Sequence, residues 1–383
     1  MVRKLVIITE IIAPYRIPVF NALAQRSDVD LHVIFLADTD PSLRQWPVYK
    51  SEIRFSYEVL HSLRLRIDKH GLLINRGLAA ALKAAGPESI ICGGYNYPAS
   101  WVALWWARQH KIRFVLWTES NQHDERSGHL VVEGLKKYFV KSCDAFVVPG
   151  TFSSIYLQNL GASKQHIFTA PNAVDNVFFA DQAAKTRSSA AAFRERFGLP
   201  QRFFLFVGRL VPEKGIFDLL EAYAKLDDKL RSEVGLVFAG DGMAIDRLKS
   251  AAETIQPGIV CFPGFAHRED LAAFYALADA LVLPTHSDPW GLVVNEAMAC
   301  ATPVIVTNVA GCAEDLVQDG WNGYIVPPRN AESLCNTMGL LLKHPDRRTE
   351  MGIRSRQRIA DNSPEKCAEG LAAAALQLPL ETQ

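Results

Sequence analysis

Short apolar runs alternate along most of the chain with longer segments whose apolar positions recur at helical spacing. That is how an open α/β sheet is written in sequence. Its strands are buried on both faces and read as near-continuous apolar runs, and its helices show one apolar stripe. In the first half the pattern predicts strands at 4–9, 31–36, 89–92, 113–118, 145–149 and 167–169, with helices at 19–25, 72–85, 100–110, 132–141 and 153–159. A stretch rich in Ala, Ser and charge, 180–192, has no strand pattern and reads as a linker that runs into a short helix at 192–197. Alternation then restarts, with strands at 203–207, 235–239, 259–262, 280–283, 304–307 and 323–326. Helices are expected between them at 216–226, 243–254, 268–277, 292–299, 313–318 and 331–342. The expectation is two doubly wound Rossmann-like domains, 1–180 and 201–350, joined by a linker at 181–200 and followed by a helical tail, 351–383.

Size and composition are consistent with this division. At 383 residues the chain exceeds what one core usually supports, and 49% hydrophobic with 21% charged residues describes an ordered globular protein. A net charge of +0 argues against nucleic acid as a partner, although residues 1–180 carry 20 Lys/Arg against 15 Asp/Glu and the remainder 21 against 26. The basic first half is compatible with an anionic acceptor or membrane surface, and reads first as an ordinary solvated face. The basic stretches 64–69 and 136–141 are the candidates for a peripheral lipid contact. Seven cysteines in apolar surroundings, without zinc spacing, read as buried small hydrophobes in a reducing compartment. The start, MVRKLVIITEII, is interrupted by Glu10 and reads as a buried strand rather than a secretion signal. The Trp-rich run 97–107 is too short to span a bilayer. A cytoplasmic protein is expected, with room for peripheral contact at the membrane face.

The richest segment is 283–305, LPTHSDPWGLVVNEAMACATPVI. An apolar strand runs into a polar loop carrying Asp288, a helix follows at about Gly291, and Glu296 lies about one turn into it. In such a βαβ unit the ligand sits outside the carboxyl end of the strand, where a helix N-terminus receives an anion. Two carboxylates there repel phosphate but suit hydroxyl groups, so phosphate with polyhydroxyl points to a nucleotide sugar. Taken singly, Asp288 also reads as a helix cap and Glu296 as a first-turn acid favoured by the helix dipole. The run FVGRLVPEKG, 206–215, places Arg209 and Lys214 between a strand and a helix, both suited to a diphosphate. Gly208 ends that strand, and Gly240-Asp241-Gly242 ends the next, a spacing that permits close approach of a ligand.

These motifs, FVGRLVPEKG, AGDG, CFPGF, LADALVLPT, DPWGLVVNEAMAC and TPVIVTNVAG, resemble those of glycosyltransferase family 4 in order and spacing. The resemblance is dense over 203–328 and thinner before it, where PNAVD is its main trace. It implies the GT-B fold, two Rossmann-like domains facing across a cleft with a C-terminal helix crossing back to the first. The implied activity is retaining transfer of a sugar from a nucleotide diphosphate sugar, UDP- or GDP-linked, to a saccharide or lipid-linked acceptor. The usual employment of such enzymes is cell-surface polysaccharide or glycolipid synthesis. By the same resemblance Arg209 and Lys214 bind the donor diphosphate, Glu296 the ribose, and Asp288 the donor sugar. The amides of Gly291, Leu292 and Val293 meet sugar and phosphates, Gly208 and Gly240 line the donor site, and Phe265 lies near the base. No tightly bound cofactor and no metal are expected. Asp288 departs from the family's usual Glu and is one methylene shorter, which draws its carboxylate back by about 1.5 Å. Ala301 and Ala173 replace usual glycines.

The N-terminal domain is expected to bring the acceptor. Its first βα loop, EIIAPYRIP, lacks the glycines many relatives carry there, and Tyr15 and Arg16 stand out in it. Arg16 reads as a cation for a phosphate or anionic acceptor, or as a surface Arg beside a rigid turn. Where relatives place a His near the reacting carbon, this chain has Glu119, with His123 four residues on. Glu119 suits a general base or a stabiliser of an oxocarbenium-like centre, and it equally suits a cap or ion pair. Tyr95 and Asn96 end another strand on the same rim. Two rival readings use the same architecture: a nucleotide-sugar epimerase, and a non-catalytic nucleotide-sugar-binding subunit.

Overall fold

A computed structural model of the chain describes residues 2–40, 47–67, 70–123 and 130–376. The chain divides into two compact units, 1–174 with 363–383, and 175–362.

In the N-terminal unit the order is β1 (Arg3–Thr9), α1 (Ile17–Ala24), β2 (Val29–Phe35), β3 (Ser56–Val59), β4 (Ser62–Ile67), β5 (His70–Asn75), α2 (Leu78–Ala85), β6 (Ser89–Gly93) and α3 (Pro98–His110). There follow β7 (Arg113–Trp117), α4 (Leu130–Lys141), β8 (Ala145–Val148), α5 (Thr151–Asn159) and β9 (Ile167–Thr169). The main sheet runs β3-β2-β1-β6-β7-β8-β9 with parallel pairings throughout. Its order reverses between β1 and β6, which opens a crevice at their carboxyl ends. One face of the sheet is covered by α2 to α5. The other is covered by α1 and by the chain's last helix, whose Leu371, Ala372 and Ala374 are fully buried.

The C-terminal unit comprises α6 (Asn176–Ser188), α7 (Ala190–Phe197), β10 (Phe203–Val207), α8 (Ile216–Ala224), α9 (Asp228–Glu233), β11 (Gly235–Ala239), α10 (Ile245–Ala252), β12 (Val260–Gly264), α11 (Arg268–Leu277) and β13 (Ala280–Leu283). It continues with α12 (Leu292–Ala299), β14 (Val304–Thr307), α13 (Ala313–Leu316), β15 (Gly323–Val326), α14 (Ala331–Lys343) and α15 (Pro345–Ile359). The helix α16 (Pro364–Leu376) belongs to the first unit. The second sheet, β12-β11-β10-β13-β14-β15, is also parallel and reverses between β10 and β13. Phe203, Phe204, Leu205 and Phe206 of β10 are wholly buried, as a central strand covered on both faces requires.

Three segments differ from the sequence pattern. The helix expected over 72–85 starts at Leu78, because 70–75 pairs antiparallel with β4 as a hairpin and Gly77 (φ 88°) breaks the chain direction. Residues 181–200 are not an extended linker: α6 is capped by the Asp175 carboxylate on the Phe178 amide at 2.9 Å and packs on α11 and α12. The tail is two helices separated at 360–363. The first, α15, packs on α12, whereas α16 packs on α1 and β9, with Gly370 so close to Thr169 that an added Cβ would lie 2.2 Å from its carbonyl oxygen. All seven cysteines are free thiols. No helix among the described residues is long and apolar enough to cross a membrane.

Candidate functional site

In the C-terminal unit the predicted residues gather at the carboxyl ends of β10 and β13, on either side of the point where strand order reverses. Backbone contacts fix the loops there. The Leu210 amide donates to Asp241 O at 2.8 Å, and the Ala244 amide returns to Leu210 O at 3.0 Å. A Cβ on Gly240 would lie 1.9 Å from Gly208 O, so glycine lets the two loops touch. Lys214 sits in a short turn closed by Gly215 in the left-handed region (φ 67°), against Pro284. From the other side, the His286 amide donates to Glu213 O at 2.9 Å, and His286 Nε2 lies 2.6 Å from Asp218 Oδ2 of α8. The Lys214 loop is thus stapled to the loop that carries Asp288.

Lys214 Nζ donates to Asp288 Oδ2 at 2.5 Å, with both side chains largely buried. The second carboxylate oxygen, Oδ1, accepts from the Trp290 amide at 3.2 Å. The Asp288 loop is braced further by the Gly311 amide on Asp288 O and the Cys312 amide on Trp290 O, each at 3.0 Å. Gly291 (φ 96°) turns the chain into α12, and no side chain caps that helix. The leading amides of α12, among them Leu292 and Val293, are left for an incoming acceptor. Arg209 is exposed and has no side-chain partner among the described residues. Phe265, 40% exposed, follows Gly264 at the end of β12 and stands edge-on to His267.

Glu296 is set deeper. Its Oε2 accepts from the Tyr275 hydroxyl at 2.6 Å. Burial pushes its carboxyl up to about 7, against the opposing pull of the Tyr275 hydrogen bond. Burial and the adjacent carboxylate push the Tyr275 phenol well above its usual range, so it remains the donor.

In the N-terminal unit the loops after β1 and β7 meet. Arg16 Nη2 donates to Glu119 Oε1 at 2.8 Å, and the guanidinium lies over the Trp117 ring, 3.8 Å from its centroid. Burial opposes the charged form of Arg16, yet Glu119 and Tyr15 hold the guanidinium above its usual value. Tyr15 flanks Arg16 at 5.7 Å, and Ser153 donates to Glu119 O at 3.1 Å. Cys367 of α16 is close enough to feel both charges, but burial pushes its thiol up to about 12, which makes it a packing group. His123 is not part of this pair: its amide donates to Asn121 Oδ1 at 2.9 Å, and its ring meets Phe152 edge-on. Tyr95 is buried against Phe139, and burial raises its phenol, whereas Asn96 is exposed. Asp38 and Asp40, which form an Asp-x-Asp, are ion-paired with Lys50 and Arg64. Among the described residues no group of three or more His, Cys, Asp or Glu side chains is arranged to hold a metal. In the basic stretch 64–69, residues 68 and 69 lie outside the described residues.

Sequence reasoning missed Tyr275, His286, Asp218 and Trp117. Each acts through a partner distant in the chain, and only Trp117 carried a local hint, ending a strand just before Glu119.

Residues 189–358 match the family model for Glycosyl transferases group 1. Among curated proteins, the alpha-D-kanosaminyltransferase of Streptomyces kanamyceticus is 32% identical over 171 residues, covering 44% of this chain and 44% of that protein. The D-inositol 3-phosphate glycosyltransferase of Kineococcus radiotolerans is 32% identical over 216 residues, 52% of this chain and 48% of that protein. The chain thus spans about half the length of the curated relatives it matches. Among solved structures, Anabaena Alr3699/HepE in complex with UDP aligns with a TM-score of 0.75 at 16% identity, over 98% of this chain and 100% of that one. Residues 189–358 thus resemble the group 1 glycosyl transferases, and the chain that carries them has the GT-B fold of two Rossmann-like units.

Proposed function

We propose that the protein is a retaining glycosyltransferase that moves a sugar from a UDP- or GDP-sugar to a saccharide or lipid-linked acceptor without a metal ion. The observation that carries this reading is Lys214 at the β10–β13 switch point, paired with Asp288 and set before the uncapped start of α12. In this reading Arg209, Lys214 and the α12 amides take the charge that builds on the departing diphosphate. The loops that hold them are already braced, so little reorganisation accompanies that charge. Glu296 holds the ribose, Asp288 the donor sugar and Phe265 the base. In the N-terminal unit, the acceptor-side unit of this proposal, Glu119 receives the proton of the acceptor hydroxyl, oriented by Arg16. Tyr15, Tyr95 and Asn96 contribute to acceptor binding, with His123 a further candidate acid or base. The product would be a cell-surface polysaccharide or glycolipid, built at the cytoplasmic face of a membrane, with no nucleic acid partner.

The test is nucleotide release from a panel of UDP-, GDP- and ADP-sugars, with and without sugar and lipid-linked acceptors, repeated in EDTA. The product anomer is then read by NMR. One donor turning over faster with acceptor, unaffected by EDTA and with its anomeric configuration kept, supports the proposal. Conversion of the donor to its epimer without acceptor would establish an isomerase instead. Donor binding with no turnover would favour a binding subunit, and failure to bind any nucleotide sugar would remove the reading of Arg209, Lys214 and Glu296.

A further inference from the structure

A cavity lies at the amino-terminal ends of strands in the N-terminal sheet, opposite the carboxyl ends that carry Arg16 and Glu119. It encloses about 700 Å³ where α3 ends and β7 begins, and its lining includes Arg108, Lys111, Arg113, Asp144, His166 and Phe168. The one acid there is spent: Asp144 Oδ2 accepts from the Phe114 amide at 2.8 Å, and Oδ1 pairs with Arg108 at 3.4 Å. Arg108 also donates to the Ser142 carbonyl. Arg113 uses Nε on Ala374 O at 2.9 Å, which leaves its two terminal nitrogens. Lys111 and the His166 ring have no side-chain partner among the described residues. The balance inside the cavity is positive, which calls for an anion.

The surface beside it is unusual for a solvated face. Trp101, Trp105 and Arg108 occupy one stripe of α3, at i, i+4 and i+7. Trp105 is 59% exposed, Tyr138 of α4 64%, and Leu135 51%, and Trp101 stacks flat on Tyr138 with ring centroids 6.3 Å apart. On α4, Glu133 is neutralised by Lys136 at 2.8 Å, which leaves exposed Lys137 and Lys141 among these rings. Exposed Trp and Tyr flanked by lysines fit the boundary between lipid headgroups and acyl chains.

We propose that the α3–α4 face of the N-terminal unit docks on an anionic phospholipid surface, with Trp105, Leu135 and Tyr138 entering the interface and a headgroup phosphate received in the basic cavity. Membrane attachment of this kind is independent of the nucleotide-sugar reading, and its test uses no donor. The full chain is sedimented with vesicles of phosphatidylcholine alone, and with vesicles in which about a third of the lipid is phosphatidylglycerol. Binding is expected to the mixed vesicles and not to the neutral ones. Each basic residue near an anionic surface is worth roughly fivefold in binding, so Lys111→Glu, a change of two charges, should weaken it about 30-fold. Trp105→Ser, at an exposed position that leaves the fold untouched, should weaken it about tenfold. Equal binding to neutral vesicles overturns the proposal. So does wild-type binding by both variants, or an equal loss from Lys343→Glu in the other unit. A parallel calorimetric titration with inorganic phosphate separates the two sources of the anion. Phosphate binding that needs Lys111, in a protein that leaves vesicles in solution, would make the cavity a site for a soluble phosphate compound.

Discussion

Protonation of Glu296 should gate nucleotide binding. Burial sets this carboxyl near 7, with its Oε2 already hydrogen-bonded to Tyr275. If it accepts hydrogen bonds from a ribose, only the ionised form binds fully. With a midpoint near 7, the ionised fraction drops from nearly all at about pH 8.5 to roughly 3% at about pH 5.5, so the apparent Kd should rise about 30-fold on acidification. The free protein should behave in the opposite sense. Its folded-state value lies above the ordinary 4.5, so between 4.5 and 7 the folded chain holds the extra proton. Stability is therefore complete below that window and declines as pH rises through it, by at most roughly 3 kcal/mol. Calorimetric titration of UDP and GDP across this range, wild type against Glu296→Gln, isolates the effect, because the diphosphate's own ionisation is common to both. The difference between the two proteins should grow toward alkaline pH in favour of wild type for binding, and in favour of the variant for thermal stability. A wild-type Kd that tracks that of Glu296→Gln at every pH would refute the ribose role. A melting temperature of the variant that stays parallel to wild type would refute the raised carboxyl itself.

Other expectations follow from the braced loops and buried pairs. Lys214→Ala strands the Asp288 carboxylate and should cost about 1–3 kcal/mol of stability, largely restored by adding Asp288→Asn; a double-mutant cycle in chemical denaturation reads the coupling. Gly215→Ala, whose Cβ would lie 1.9 Å from Pro284 O, must displace the loop that holds Lys214 and should lose about 1–3 kcal/mol together with nucleotide affinity. Arg16→Lys keeps the charge but neither the stacking on Trp117 nor the fork to Glu119, so kcat should fall by about tenfold or more with donor KM unchanged; wild-type turnover would remove Arg16 as a positioning residue. Leu371→Ala in α16 should destabilise the protein by about 2–5 kcal/mol in thermal unfolding, because that side chain is fully buried on the first sheet.

The strands were the most legible part of the fold. Runs such as 203–207 and 304–307 are apolar throughout because both faces of a parallel strand are covered, and they emerge with the bounds the pattern suggests. The pattern is weaker where one period can imitate another. Segment 72–75 has the apolar content of a helix start, and only its pairing with β4 makes it a strand. Likewise the Ala-rich 180–192 carries no strong stripe, and it becomes helical through its packing on α11 and α12. Arg209, Lys214, Asp288 and Glu296 stood out because loop chemistry at strand ends is local. Their partners did not: Tyr275 precedes Glu296 by 21 positions and Asp218 precedes His286 by 68, separations that no periodicity records. Asp288 reads in the sequence as a partner for sugar hydroxyls or as a helix cap, and the structure shows both its oxygens engaged, one by the Lys214 ammonium and one by the Trp290 amide.

That engagement bears on the shorter acid. A carboxylate drawn back by a methylene loses reach toward a sugar, yet it gains Lys214 and the Trp290 amide as partners. Without ligand, Lys214 and Asp288 cancel, burial favours the neutral form of Glu296, and Arg209 is an exposed cation beside them. On the proposed function, a diphosphate brings more negative charge to Lys214 than a single carboxylate does, and so competes for the ammonium. Asp288 Oδ2 is then released toward hydroxyl groups while Oδ1 stays on the Trp290 amide, which keeps the side chain aimed. Recognition of the phosphates and of the sugar would be linked through one ion pair. A free diphosphate and a complete donor would differ in affinity by what the released oxygen gains, and Asp288→Asn would lose that difference while keeping its hold on the diphosphate.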